Sequence, residues 1–297
     1  MKKRMTRLII LIVLFTFLSP FAPARGEESR HHIIVLLTDF GESDFYAGVM
    51  KGVIYSINPG ARVETITNLV EPFNVKEGAY ILENTYPFYP RGTIFLAIVD
   101  PGVGSSRKPL LLETGDGKYL VGPDNGLFTR VIGKAGLRKA YELTSPRYWR
   151  TKKPSSTFQG RDIFSPAAAH LSLGVSPAKM GKPMRALVRL PFNEAALKDG
   201  KLKGEVTLVD YYGNLLTNIP GKLLRKGGFM EGNDYLLEVG GQKIKAKLAR
   251  TYSEVPLGEY LFLVNSEAMV EVARNLTNAA KTLGIRAGAG LIIWRND

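Results

Sequence analysis

The 297-residue chain has no cysteine, so neither disulfides nor a lipid-modified cysteine contributes to it. Histidine is scarce: His31 and His32 precede the first strand-like run, and His170 sits in an alanine-rich stretch. With no cluster of His or Cys at ligand spacing, the sequence predicts no metal and no redox cofactor. His-Glu-x-x-His, Gly-x-Ser-x-Gly and Gly-x-x-x-x-Gly-Lys are all missing, which removes the common metalloprotease, hydrolase-elbow and phosphate-loop readings. Gly102-x-Gly104 lacks the third glycine of a dinucleotide fingerprint. Internal repeats and low-complexity tracts are lacking too. The longest apolar run, Leu8 to Leu18, is well short of the roughly 20 residues that a spanning helix needs.

That short run is informative in its setting. Lys2, Lys3, Arg4 and Arg7 precede it and Ala22-Pro23-Ala24 follows, the layout of a secretory signal with a small-residue cleavage site. Residues 1–24 are therefore expected to direct export, to a periplasmic or secreted location, with an uncleaved membrane anchor as the alternative. Removing the four positive charges takes the formal +13 to 13 − 4 = +9. The remaining Lys and Arg are scattered among Asp and Glu without a basic arm or a recognisable motif, so no nucleic-acid partner is predicted.

Hydrophobic residues make up 45% of the chain, enough for one large or two medium cores. Ile33 to Leu37, Arg62 to Thr67 and Thr93 to Val99 read as strands. Helical spacing runs from Tyr46 to Ile57, with Ser43 or Asp44 as cap, and from Val75 to Tyr86. That alternation predicts an α/β domain over residues 31–190 with a mostly parallel central sheet. Leu110 to Glu113 and Tyr119 to Val121 read as a hairpin, and Asp162 to Leu173 as a further helix. A proline-containing linker is expected from about Ser176 to Lys203. Short alternating runs then predict a smaller β-rich, barrel-like domain over residues 203–297, interrupted by one helix from Ala268 to Leu283.

The chemistry-bearing residues gather in turns. Asp100-Pro101-Gly102-Val103-Gly104-Ser105-Ser106-Arg107 follows the strand ending at Val99, where α/β proteins place their sites. Alone, Asp100 and Arg107 read first as a brace for the loop; it is the motifs around them that point to chemistry. Four more segments accompany them: Leu37-Thr38-Asp39-Phe40-Gly41 with Asp44; Gly122-Pro123-Asp124-Asn125-Gly126; Thr157-Phe158-Gln159-Gly160-Arg161-Asp162; and the stretch from Asp210 through Asn214 to Asn218.

In this order, over some 260 residues from about Ile33 onward, these motifs resemble the S-adenosyl-L-methionine (SAM) hydrolases, also called SAM hydroxide adenosyltransferases, relatives of the fluorinase and chlorinase enzymes. The resemblance implies a homotrimer binding SAM, or a related adenosyl compound, between the N-terminal domain of one subunit and the C-terminal domain of the next. Water then attacks ribose C5′ and leaves adenosine and L-methionine. Carried over by position, the catalytic Asp and Arg fall on Asp100 and Arg107. The family's catalytic His falls on Gln159, which can hydrogen-bond but cannot take a proton near neutral pH. Asp39 matches a ribose-binding carboxylate, its plain alternative being a turn cap. Phe73 matches an aromatic that packs on the ligand, its alternative being a core aromatic. Asp210 matches the acceptor of the methionine ammonium, Asn214 the amide reading adenine, and Ser266 another ligand contact. Halide transfer is not expected, because halogenases replace the Asp-Pro-Gly-Val-Gly loop and carry Arg where this chain has Glu267. The alternative within the same fold is a non-catalytic adenosine- or SAM-binding protein.

Overall fold

The computed structural model describes residues 33–295; the signal-like segment 1–24, together with His31 and His32, lies outside the described residues. The first domain is built from β1 (Ile33–Thr38), α1 (Tyr46–Ile57), β2 (Arg62–Thr67), α2 (Val75–Thr85), β3 (Ile94–Ile98), β4 (Pro109–Thr114), β5 (Tyr119–Pro123), α3 (Thr129–Ala135), β6 (Leu137–Glu142), α4 (Ser165–Ser172), α5 (Pro177–Met180) and β7 (Lys182–Pro183). Its seven strands lie in the order β2-β1-β3-β5-β4-β6-β7. The four from β2 to β5 run parallel, and β4, β6 and β7 add antiparallel.

Strand β1 shows why this sheet must be covered on both sides. Successive side chains point to opposite faces. Ile34 and Leu36 join a core with Met50 and Ile54 of α1 and Ala167, Ala168 and Leu171 of α4. Val35 and Leu37 join another core with Ala79 and Leu82 of α2 and Val131 of α3. A strand buried on both faces reads as the unbroken apolar run seen in the sequence.

Helix α2 begins where Asn74 accepts from the Glu77 amide at 3.1 Å, an N-cap that satisfies an otherwise orphaned donor. Helix α1 differs from expectation: its cap position is Phe45, without a side-chain hydrogen bond, and Asp44 faces the cleft described below instead. The predicted helix from Asp162 opens with a π-helical turn, Gly160–Phe164, before α4.

The second domain comprises β8 (Ala196–Lys198), β9 (Lys201–Val209), β10 (Leu215–Pro220), α6 (Gly221–Lys226), β11 (Asp234–Val239), β12 (Gln242–Leu248), β13 (Tyr260–Val264), β14 (Met269–Arg274), α7 (Ala279–Leu283) and β15 (Gly290–Arg295). Seven strands close into a barrel because β9 pairs with β15 on one side and β10 on the other; β8 hairpins onto β9 outside the ring. Closure removes the exposed edges of an open sheet. Phe262, Val270, Val272, Leu237 and Ile293 fill the interior.

Two sequence expectations are corrected here. The expected helix from Ala268 to Leu283 begins instead as a strand: β14 pairs with β13 and β10, and only Ala279–Leu283 is helical. Met269-Val270-Glu271-Val272-Ala273-Arg274 is too short for periodicity alone to separate the two states, and its β-branched valines face the barrel core. The expected linker is largely docked. It carries α5, β7 and β8, Met180 is fully buried, and the Val188 amide donates to Asp124 at 2.9 Å.

Candidate active site

Parallel pairing sets Thr38 beside Ile98, so the turns carrying Asp39 and Asp100 leave the same edge of the sheet. The first turn is pinned by Asn68. The Thr38 hydroxyl donates to Asn68 Oδ1 at 2.9 Å, and the Gly41 amide donates to the Asn68 carbonyl at 2.7 Å. Gly41 takes φ +74°, a conformation that glycine adopts without strain.

The second turn is held by an ion pair. Arg107 Nε donates to Asp100 Oδ1 at 2.9 Å while Nη2 reaches Oδ2, a bidentate fork with side chains only 8% and 6% exposed. The guanidinium lies 5.4 Å from the Phe164 ring centroid, and Arg107 Nη1 is buried without a partner. Gly104, at φ +80°, passes so close to Ser156 that a Cβ would lie 2.7 Å from its carbonyl oxygen. This contact seats the Asp100 loop against the segment leading into Thr157-Phe158-Gln159.

Gln159 immediately precedes the π-helical turn, and its Oε1 is buried with no hydrogen-bond partner. Asp162 fixes that turn by accepting from Arg150, Arg161 and the Ser155 amide. Burial alone would raise its pKa; the hydrogen bonds from Arg161, Ser155 and Arg150 reverse this and hold it well below the ordinary carboxylate value.

Asp39, Asp44, Phe73, Asp100, Phe158 and Gln159 share a cleft of about 280 Å³. The Phe73 amide donates to Asp39 Oδ2 at 2.9 Å. Burial raises the Asp39 pKa, the Phe73 amide works against that, and the Asp100 charge adds to the rise. Phe158 packs edge-on to Tyr46, centroids 5.0 Å apart. Sequence reasoning had not singled out Tyr46 and Phe158, since aromatics at helix and loop ends read as core.

Asp210, Asn214 and Ser266 do not join this cleft. Asp210 Oδ1 accepts from the Asn214 amide at 2.8 Å and Oδ2 from its side chain at 2.9 Å, closing a turn whose Gly213 takes φ +87°. Both residues line a second cleft of about 550 Å³ on the barrel, with Tyr212, Tyr252, Arg274 and Asn278. Nothing in the sequence pointed to Tyr252 or Asn278. The Tyr252 hydroxyl donates to buried Glu271 at 2.7 Å; burial raises the Glu271 pKa, that bond opposes the rise, and the Asp210 and Glu267 charges add to it. Ser266 is exposed, lines neither cleft, and donates to Glu267 at 2.7 Å.

Residues 34–181 match the SAM hydroxide adenosyltransferase N-terminal domain and residues 204–292 its C-terminal domain. The chain is 38% identical over 266 residues to the (R)-S-adenosyl-L-methionine hydrolase of Thermus thermophilus, covering 86% of this chain and 96% of that one. It is 26% identical over 292 residues to the fluorinase of Actinopolyspora mzabensis, covering 89% and 97%. A crystal structure of an uncharacterized conserved protein from Thermotoga maritima superposes with a TM-score of 0.83 at 37% identity, covering 89% of this chain and all of that one.

The Asp162 anchor yields a stability prediction. A carboxylate with a depressed folded pKa contributes fully above its unfolded value, 3.8, and loses that contribution as pH falls through the folded value. Asp162→Asn should cost about 2 kcal/mol at neutral pH, with the gap to the parent closing on acidification. Denaturant melts across pH check this, and a constant gap would contradict it.

Proposed function

Because the chain belongs to the SAM hydroxide adenosyltransferase family, we propose that it hydrolyses SAM, water attacking ribose C5′ to release adenosine and L-methionine. The observation that carries this reading is the donor and acceptor character of the first cleft. The Asp100 carboxylate, oriented by Arg107, is an acceptor that lines the cleft, and the Gln159 amide beside it can both accept and donate. A nucleophile held against the Asp100 carboxylate must itself donate, as water does and a halide cannot. Asp39 and Asp44 in the same cleft add charge that repels an anion.

The step balances with water and protein groups. A water oxygen forms the bond to C5′, the C5′–S pair departs onto sulfur as the methionine thioether, and a water proton passes to Asp100. The sulfonium leaves readily, so no acid is required there. The attacking oxygen becomes strongly acidic as it bonds to carbon, so even a carboxylate tied to a guanidinium can receive its proton. Holding the water in line is then the larger task, and the glutamine amide can share it by hydrogen bonding without titrating. Asp39 is assigned the ribose hydroxyls and Phe73 a packing role.

Asp210 is assigned the methionine ammonium, Asn214 the adenine edge and Ser266 a further ligand contact. These lie on the barrel rather than in the first cleft, which supports a site completed between subunits of a homotrimer. Each half-site has an exposed aromatic in its lining, Phe73 at the first and Tyr212 at the second. Export is part of the same proposal and rests on the sequence pattern of residues 1–24.

Chromatography of SAM incubations should show adenosine from the parent, at least about a hundredfold less from Asp100→Ala, and a rate from Gln159→His that gains a titration near the histidine range. No adenosine from the parent but turnover by Gln159→His would leave only the binding reading. Mixing inactive Asp100→Ala and Asp210→Ala chains under exchange conditions should restore part of the activity; failure to do so, with exchange demonstrated, would place both half-sites in one chain.

A further inference from the structure

Phe73 is one of four described non-glycine residues with positive φ, at +70°, and it is a bulky aromatic for which this region is sterically disfavoured. It is also 71% exposed, so packing of the ring does not offset the strain. Four contacts define this backbone. The Asn74 amide donates to the Glu71 carbonyl at 2.9 Å, closing a turn with Pro72 and Phe73 at its centre, and the Val75 amide donates to the Phe73 carbonyl at 3.0 Å. Asp39 Oδ2 accepts the Phe73 amide at 2.9 Å across 34 residues of sequence, and the next residue, Asn74, caps helix α2. Strain held by specific contacts at a cleft is a feature of functional sites.

We propose that Asp39 is the positioning residue for Phe73: it holds the strained backbone that sets the aromatic ring over the cleft, so one carboxylate both reads the ribose and places the surface on which the nucleoside packs. The inference rests on the reading of this cleft as a nucleoside site. Each carboxylate oxygen has two lone pairs, so Oδ2 can accept the Phe73 amide and a ribose hydroxyl together. With Asp39 in place, the ring is set before the ligand arrives, and less ordering remains for binding to accomplish. Without that acceptor, the turn keeps only its own backbone bonds and the ring is set over the cleft less firmly.

Two probes separate this from simple ribose recognition: adenosine, and 2′,3′-dideoxyadenosine, which has no hydroxyls for Asp39 to bind. Affinities are measured by calorimetry on the full chain. Asp39→Ala should weaken both probes, and its effect on the dideoxy probe, about threefold or more, should vanish in a Phe73→Gly background. Asp39→Asn keeps an acceptor for the Phe73 amide, so it should weaken adenosine while largely preserving the dideoxy probe. This second variant also guards against misfolding of Asp39→Ala. Unchanged dideoxyadenosine affinity in Asp39→Ala, or equal Asp39→Ala effects with and without the Phe73 ring, would overturn the inference while leaving the nucleoside reading intact. A parent that binds neither probe would overturn both.

Discussion

Placing a carboxylate and a guanidinium together in a site with little solvent is costly unless each satisfies the other, and the first cleft depends on how Asp100 and Arg107 meet that constraint. Desolvation costs several kcal/mol per ion; a two-pronged contact returns most of it and fixes the carboxylate in orientation as well as place. The surrounding structure serves this contact. Parallel pairing of β1 with β3 sets Asp39 and Asp100 at one sheet edge. Gly104 lets the Asp100 loop lie against Ser156, and Asp162 secures the turn that presents Gln159.

The consequence is a cleft lined by three carboxylates. Asp39, Asp44 and Asp100 favour a nucleophile that donates hydrogen bonds and a substrate that carries positive charge, and SAM with water meets both conditions. The glutamine is compatible with this chemistry because displacement of a sulfonium needs little help at the leaving group. For the proposed hydrolysis the site must supply alignment, a task that hydrogen bonds can perform without a titrating imidazole.

Much of this was legible in the sequence, for identifiable reasons. Strands β1 and β3 are buried on both faces and so read as unbroken apolar runs, and the residues just after them are where a parallel sheet concentrates chemistry. The turn from Asp210 to Asn214 was visible because its glycine and paired polar groups are local features. Strand β14 was misread because six residues with two valines do not separate the two periodicities, and only barrel closure decides between them. The docked course of residues 176–203 was hidden because its contacts, such as Val188 with Asp124, span long stretches of sequence. The tie between Asp39 and Phe73 joins residues 34 apart through a backbone amide, and no side-chain pattern reveals such a bond.

The central claim is that water, oriented by Asp100 and Gln159, attacks the ribose carbon. Turnover of SAM in water enriched in the heavy oxygen isotope, with mass spectrometry of both products, tests it most directly. The account predicts one heavy oxygen in the 5′-hydroxyl of adenosine and none in methionine. Adenosine released without the label would contradict it.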